Sequence, residues 1–250
     1  MILYFSATGN CKYVAERVAA ALNDTAVSIE KQAPIITLSE NECFGFVSPT
    51  NWGELPILVR EYIQRLQLNR TGKHYIFFIV TYGSMTGCIG TDAKKELARR
   101  GIALDGAFSV KMPDNWTPIF DLSNSEEVAK QNRAAEVYIE NVIQKIQSKR
   151  SGNHTEGRMP YVYRLIADSL LNMERQTKNF YVEDICIGCE LCAKRCPVQA
   201  IEIREKKPVW VKERCALCLR CLHHCPKFAI QYGNGKTKQH GQYRNPHTKV

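Results

Sequence analysis

Eight of the chain's eleven cysteines lie between Cys186 and Cys225, in two segments that align with each other: CIGCELCAKRCPVQAIEI from Cys186 and CALCLRCLHHCPKFAIQY from Cys215. Each reads C-x2-C-x2-C-x3-C-P and runs on through Ala-Ile into a short strand-like stretch. Three thiols at that interval fit one tight turn and can be aimed together at a single iron–sulfur cube, while the fourth begins the return of the chain. Zinc is the competing reading, because C-x2-C pairs are also zinc knuckles. A structural zinc site takes two such pairs, however, not three evenly spaced thiols and a C-P, twice over. A disulfide framework fits poorly with an N-terminal stretch that has no cleavable secretory pattern. His223 and His224 fall between candidate ligands and read as exposed loop residues.

The repeat, with strand candidates at 180–183, 201–204, 208–211 and 229–232, resembles the bacterial dicluster ferredoxins over residues 179–233. The resemblance implies two 4Fe-4S clusters. One would sit on Cys186, Cys189, Cys192 and Cys225, the other on Cys215, Cys218, Cys221 and Cys196, each run lending its last cysteine to the other cluster. Charge is the departure, since such ferredoxins are usually acidic. Here residues 151–250 carry a formal +8 against +1 for residues 1–150. Two oxidised clusters with their thiolates would remove about four units. The remainder, mostly in the last stretch of chain, suits an acidic redox partner protein better than nucleic acid, because no aromatic-and-basic face is visible.

The elements that would position a second site lie in the first 150 residues, where short apolar runs alternate with helical patterns, the signature of a parallel α/β fold. Strands are expected at 2–5, 26–29, 43–48, 74–81 and 107–111, and helices at 12–22, 54–68, 92–100 and 125–147. Residues 74–81 are mostly apolar rather than alternating, which fits a central strand covered on both faces. In the last helix Val128, Ala135, Ile139, Val142 and Ile146 recur at helical spacing, with Ser123 or Ser125 placed to cap it. These are core and cap positions and carry no chemistry.

Three loops follow expected central strands. The first, Ser6-Ala-Thr-Gly-Asn-Cys11, precedes a helix. Backbone N–H groups at such a start bind anions, with Ser6 and Thr8 offering hydroxyls, Gly9 close backbone approach and Asn10 a cap. Neither G-x-x-x-x-G-K-S/T nor G-x-G-x-x-G is present. The loop resembles the flavodoxin phosphate loop, Ser/Thr-x-Thr-Gly-x-Ser/Thr, with Cys11 in place of the final hydroxyl residue; a plain strand-to-helix turn is the alternative. The second loop contains Pro49, Thr50, Asn51, Trp52 and Gly53, and the third runs from Thr81, Tyr82 and Gly83 to Gly87. Each of Trp52 and Tyr82 alone reads as packing. Together the three loops make a flavin mononucleotide site at the C-terminal edge of the sheet, where doubly wound folds bind ligands.

The whole chain resembles the flavodoxin–ferredoxin fusion proteins of anaerobic microbes. The resemblance extends to Met112-Pro-Asp-Asn-Trp116, which matches a family element after strand five. Asn115 and Trp116 would lie near the flavin face or serve as a loop anchor. The implied fold is α/β, a flavodoxin-like doubly wound parallel sheet with a second, small α+β dicluster ferredoxin domain. Residues 1–150 form the FMN domain, 151–178 a linker and connecting helix, 179–233 the ferredoxin domain, and 234–250 a flexible basic tail.

The implied cofactors are FMN and two 4Fe-4S clusters, and the implied function is a low-potential electron carrier. The other reading is an FMN-dependent reductase of a small organic acceptor fed by the ferredoxin domain. The longest strongly apolar run, residues 75–80, is too short to span a bilayer, and the expected location is the cytoplasm. For Cys11 itself two roles compete, nucleophile and part of a phosphate cradle. A nucleophile needs a base, and no histidine precedes His74.

Overall fold

The computed structural model describes residues 1–160 and 162–250. The N-terminal half contains β1 (Ile2–Tyr4), α1 (Asn10–Ala21), β2 (Ala26–Ser28), β3 (Ile35–Leu38), β4 (Cys43–Pro49), α2 (Ile57–Arg65), β5 (Gln67–Arg70), β6 (Tyr75–Tyr82), α3 (Ile89–Ala98), β7 (Gly106–Lys111), α4 (Ser125–Gln147) and β8 (Gly152–His154). Six strands pair in parallel in the order β2-β1-β4-β6-β7-β8. The order reverses between β1 and β4, so the loops after those two strands diverge and leave a crevice at the switch point. Every residue of β6 is buried, as its unbroken apolar run requires.

One face of the sheet packs on α1 and α4 through Val14, Val18, Ile139, Val142 and Ile146. The other packs on α2 and α3 through Val59, Ile63, Ala93 and Leu97. Helix α2 is shorter than the expected 54–68, because Pro56 stands at its start in an extended conformation and residues 67–70 leave the helix to pair in parallel with β3. Asn124, rather than either serine, caps α4, accepting from the N–H groups of Glu126 and Glu127 at 3.1 Å each.

After helix α5 (Tyr163–Glu174), the C-terminal half forms β9 (Phe180–Val182), α6 (Leu191–Lys194), β10 (Ile201–Arg204), β11 (Lys207–Trp210), α7 (Arg220–His223), β12 (Ile230–Tyr232) and α8 (Lys236–His240). Strands β9 and β12 pair antiparallel, as do β10 and β11. The repeat seen in sequence is also a repeat of backbone shape. Residues at matching places take positive φ: Gly188 and Leu217, Glu190 and Leu219, Gln199 and Phe228. Bulky residues adopt such angles only where their surroundings hold them, so both halves share one enforced turn geometry.

Two expectations about connecting segments are corrected. Residues 152–154 are not linker but the edge strand β8, whose backbone extends the sheet beside β7. The last seventeen residues are not free in solution, since they contain α8 and bury Thr237, Tyr243 and Asn245. Among the described residues no helix is long and apolar enough to cross a membrane.

Candidate redox site

A cavity of about 210 Å³ opens at the C-terminal ends of β1, β4, β6 and β7. Ser6 and Thr8 line it from the first loop, Asn10 and Cys11 from the start of α1, Pro49 from the end of β4, Thr50, Asn51, Trp52 and Gly53 from the second loop, Thr81 and Tyr82 from the end of β6, and Gly83 from the third loop. Gly9 and Gly87, expected among them, do not. Gly87 packs against Gly53, where an added Cβ would come within 2.4 Å of the Gly53 Cα, and Gly9 faces the C-terminal residues instead.

The first loop is shaped for an anion. Gly9 precedes α1 at φ 108°, and its N–H donates to Ser6 Oγ at 3.1 Å. No side chain caps α1 and no acidic residue lies in its first turn, so its first N–H groups remain for a ligand. The Asn10 side chain does not cap; it donates to the Pro113 carbonyl at 3.4 Å. Asn115 donates to Thr8 Oγ1 at 2.7 Å, so it anchors the loop while also lining the cavity.

The opposite end is aromatic. Trp52 and Gly53 take φ of 53° and 77° in a turn closed by reciprocal backbone bonds between Asn51 and Glu54. The two indoles, Trp52 and Trp116, meet edge to face with centroids 6.5 Å apart. Gly83 is needed there, because a Cβ would lie 2.2 Å from that of Asp114. Burial raises the Asp114 carboxyl above its usual range, against the bonds it accepts from Trp116 and Ser84. Polar donors at one end and an aromatic wall at the other fit a phosphorylated planar cofactor.

Cys11 is 2% exposed, packed in the α1–α4 core, with Sγ 3.1 Å from Thr81 Oγ1. Burial pushes its thiol up to about 12. It therefore stays protonated at neutral pH and is no nucleophile. Alkylation of the native protein at pH 8 should leave Cys11 unmodified by mass spectrometry, and Cys11→Thr should retain flavin at least as tightly as the parent. Rapid labelling of Cys11 before unfolding would show the burial to be wrong.

The eight clustered cysteines ring two further cavities. Cys186, Cys189, Cys192 and Cys225 line one, and Cys196, Cys215, Cys218 and Cys221 line the other. Among the described residues no three His, Cys, Asp or Glu side chains converge closely enough for a single metal ion. A 4Fe-4S cube instead takes thiolates from around its body, which suits thiols spread over a cavity wall. At matching places in the repeat, Ala200 N–H donates to Cys196 Sγ and Ala229 N–H to Cys225 Sγ, both at 3.2 Å. Such donors favour the charged sulfur. The second thiol cavity adjoins the large one, since Cys218 and Leu219 line both.

A flavodoxin-domain family model matches residues 1–139, more than half of the chain, and a 4Fe-4S dicluster-domain model matches residues 185–229. The chain belongs to the flavodoxin family. It is a flavodoxin domain fused to a dicluster ferredoxin domain, a pairing that supports a redox carrier using FMN and iron–sulfur clusters. No curated protein and no solved structure matches it significantly.

In this flavodoxin–ferredoxin fusion the halves are joined through residues that sequence reading assigned elsewhere. His223 is 1% exposed rather than a loop residue in solvent. Its Nδ1 accepts the Tyr243 N–H at 3.1 Å, so Nε2 carries the proton and donates to the Asn115 carbonyl at 2.9 Å. His224 is half-buried with Nε2 2.9 Å from the Ala7 carbonyl oxygen.

The C-terminal residues then pass over the first loop of the fusion. Tyr243 Oη and Asn245 Nδ2 donate to Asn10 Oδ1 at 2.7 and 3.1 Å, and Asn245 N–H donates to the Thr8 carbonyl at 2.7 Å. The segment has no apolar periodicity, and its order comes from polar bonds to surfaces built by distant parts of the chain. Gly9 is the one sequence signal, as an added Cβ would lie 2.8 Å from that of Asn245.

Proposed function

We propose that this protein is an electron carrier in which the distal thiol site (Cys186, Cys189, Cys192, Cys225), the proximal thiol site (Cys215, Cys218, Cys221, Cys196) and the flavodoxin cavity form one relay. When bound, the clusters exchange single electrons and the flavin holds one or two. The observation that carries the reading is the wall shared by the proximal site and the flavin cavity at Cys218 and Leu219.

The residues divide the work. The loop of Ser6, Thr8, Asn10 and Cys11, with the start of α1, would hold the FMN phosphate. Trp52 and Trp116 would orient the ring and keep water from it. Leu217, Cys218 and Leu219 come from the ferredoxin half and wall the same cavity. A cavity closed on that side by the chain's own ferredoxin residues favours an electron carrier over a reductase that admits a small acceptor there. The distal site is the one open to solvent: Cys189 is exposed, and Ile185 and Ile187 beside it are 50% and 58% exposed. That face suits approach by a redox partner protein.

Anaerobic reconstitution tests the reading through iron, sulfide and flavin content, followed by stepwise reduction. The expected protein contains about eight iron per chain and one FMN, and loses both iron–sulfur and flavin absorption on reduction. Iron without any retained flavin would defeat the relay.

A further inference from the structure

Arg220 is a cation only 7% exposed, at the seam between the two halves. Four of its five N–H groups are paired. Nη1 donates to Glu30 Oε1 at 2.7 Å and to the Arg195 carbonyl at 3.1 Å, and Nη2 donates to Glu30 Oε2 at 2.6 Å and to the Ser6 carbonyl at 2.8 Å. The fifth donor, Nε–H, is buried with no partner among the described residues. A buried donor of a charged group is costly when unmet, so its presence calls for an acceptor outside the polypeptide.

The surroundings identify that acceptor. Arg220 lines the proximal thiol cavity together with Cys196, Cys215, Cys218 and Cys221. Glu30 and the two carbonyls occupy the outer edge of the guanidinium and fix its plane, leaving the Nε edge unpaired. The matching position in the distal repeat is Leu191, which has no donor and no charge. The two sites are built from the same turn, yet the cation in the distal lining, Lys227, is exposed, whereas Arg220 beside the flavin cavity is buried.

We propose that Arg220 is a positioning residue that offers Nε–H to the sulfur of the proximal 4Fe-4S site and makes that site the easier of the two to reduce. The inference rests on the reading of the cysteines as cluster ligands. A hydrogen-bond donor with positive charge stabilises the more negative, reduced state and so raises the reduction potential. Glu30 balances the net charge of the guanidinium, which leaves the local Nε–H contact as the difference between the sites. Through the Ser6 carbonyl the same side chain also holds the first flavin loop against the ferredoxin half.

An anaerobic redox titration of the full-length, fully loaded protein, followed by electron paramagnetic resonance, tests this. The proximal signal is the one that disappears in Cys218→Ala. Arg220→Gln is expected to lower the reduced-to-oxidised ratio of the proximal cluster about tenfold at a fixed potential, about 59 mV for one electron, with the distal cluster unmoved. Arg220→Lys, which retains charge without the Nε–H edge, shifts the proximal cluster in the same direction. Glu30→Gln leaves Nε–H in place and does not lower it.

An unmoved proximal cluster in Arg220→Gln, equal movement of both clusters, or a fall in Glu30→Gln as large as in Arg220→Gln overturns the proposal. If Arg220→Gln does not load, Arg220→Lys decides, and an unmoved proximal potential there overturns it. Failure of the underlying reading looks different: the parent protein would contain no iron–sulfur clusters to titrate.

Discussion

Replacing Cys218 with alanine should lower the iron content from about eight to about four per chain while FMN stays bound, and should disconnect the flavin from the distal cluster. The expectation follows from the double placement of Cys218, which lines both the proximal thiol cavity and the flavin cavity. The first loop and α1, which would hold the phosphate, take no bond from Cys218, so flavin content is the internal control. Stopped-flow reduction should then show rapid bleaching of the distal cluster and flavin reduction no faster than the background with the chemical reductant. Cys189→Ala gives the contrast: its thiol lies on the exposed distal site, so the proximal cluster and the flavin should still exchange electrons. Unchanged flavin reduction in Cys218→Ala would contradict the relay even if iron falls as expected.

Truncation after Gly241 should destabilise the flavodoxin half and weaken its hold on FMN at least tenfold. The tail buries Tyr243 at 4% exposure and Asn245 at 3%. Burial of a large side chain such as Tyr243 contributes about 1.5–3 kcal/mol. Each of the bonds to Asn10 and Thr8 adds about 1 kcal/mol, and removal leaves buried polar groups unmet. A loss of about 1.4 kcal/mol in binding is already tenfold. Thermal unfolding of the flavin-free protein and recovery of FMN fluorescence on dilution measure the two effects separately. Tyr243→Phe removes only the hydroxyl that reaches Asn10 and should produce a smaller loss in the same direction. A truncated protein with unaltered stability and flavin retention would show that the tail merely rests on the loop.

The parts legible from sequence are those encoded locally. The C-x2-C-x2-C-x3-C-P repeat specifies the turn that groups each set of thiols, and the two sets line separate cavities with the fourth cysteine exchanged. The central strands were legible because β4, β6 and β7 are covered on both faces and therefore read as apolar runs. Site residues such as Trp52 and Thr81 followed from their place at or just after the ends of those strands. The edge strand β8 was not legible, since Gly-Asn-His has no strand-like composition; its pairing to β7 comes from backbone bonds that any residue can make.

Gly9 and Gly87 were recognised as special but assigned the wrong neighbours. A glycine in sequence signals that something approaches closely without saying what. For Gly9 the neighbour is Asn245, from the far end of the chain, and for Gly87 it is Gly53. His223 misled for a similar reason. Next to cysteines it looks like a loop residue, yet it is buried between the Asn115 carbonyl and the Tyr243 amide.

By itself the sequence determined the family, the class of fold, the two sets of cysteines and the three loops at the sheet edge, because each depends on spacing within a short stretch of chain. Only the tertiary structure decided that the proximal site adjoins the flavin cavity, that Arg220 joins Ser6 and Glu30 across the seam with one donor left unmet, and that the basic tail covers the first loop. Those facts rest on contacts between residues some two hundred positions apart. Side-chain and backbone polar groups can pair across such distances without any periodic pattern, so they leave no local trace until the chain has folded.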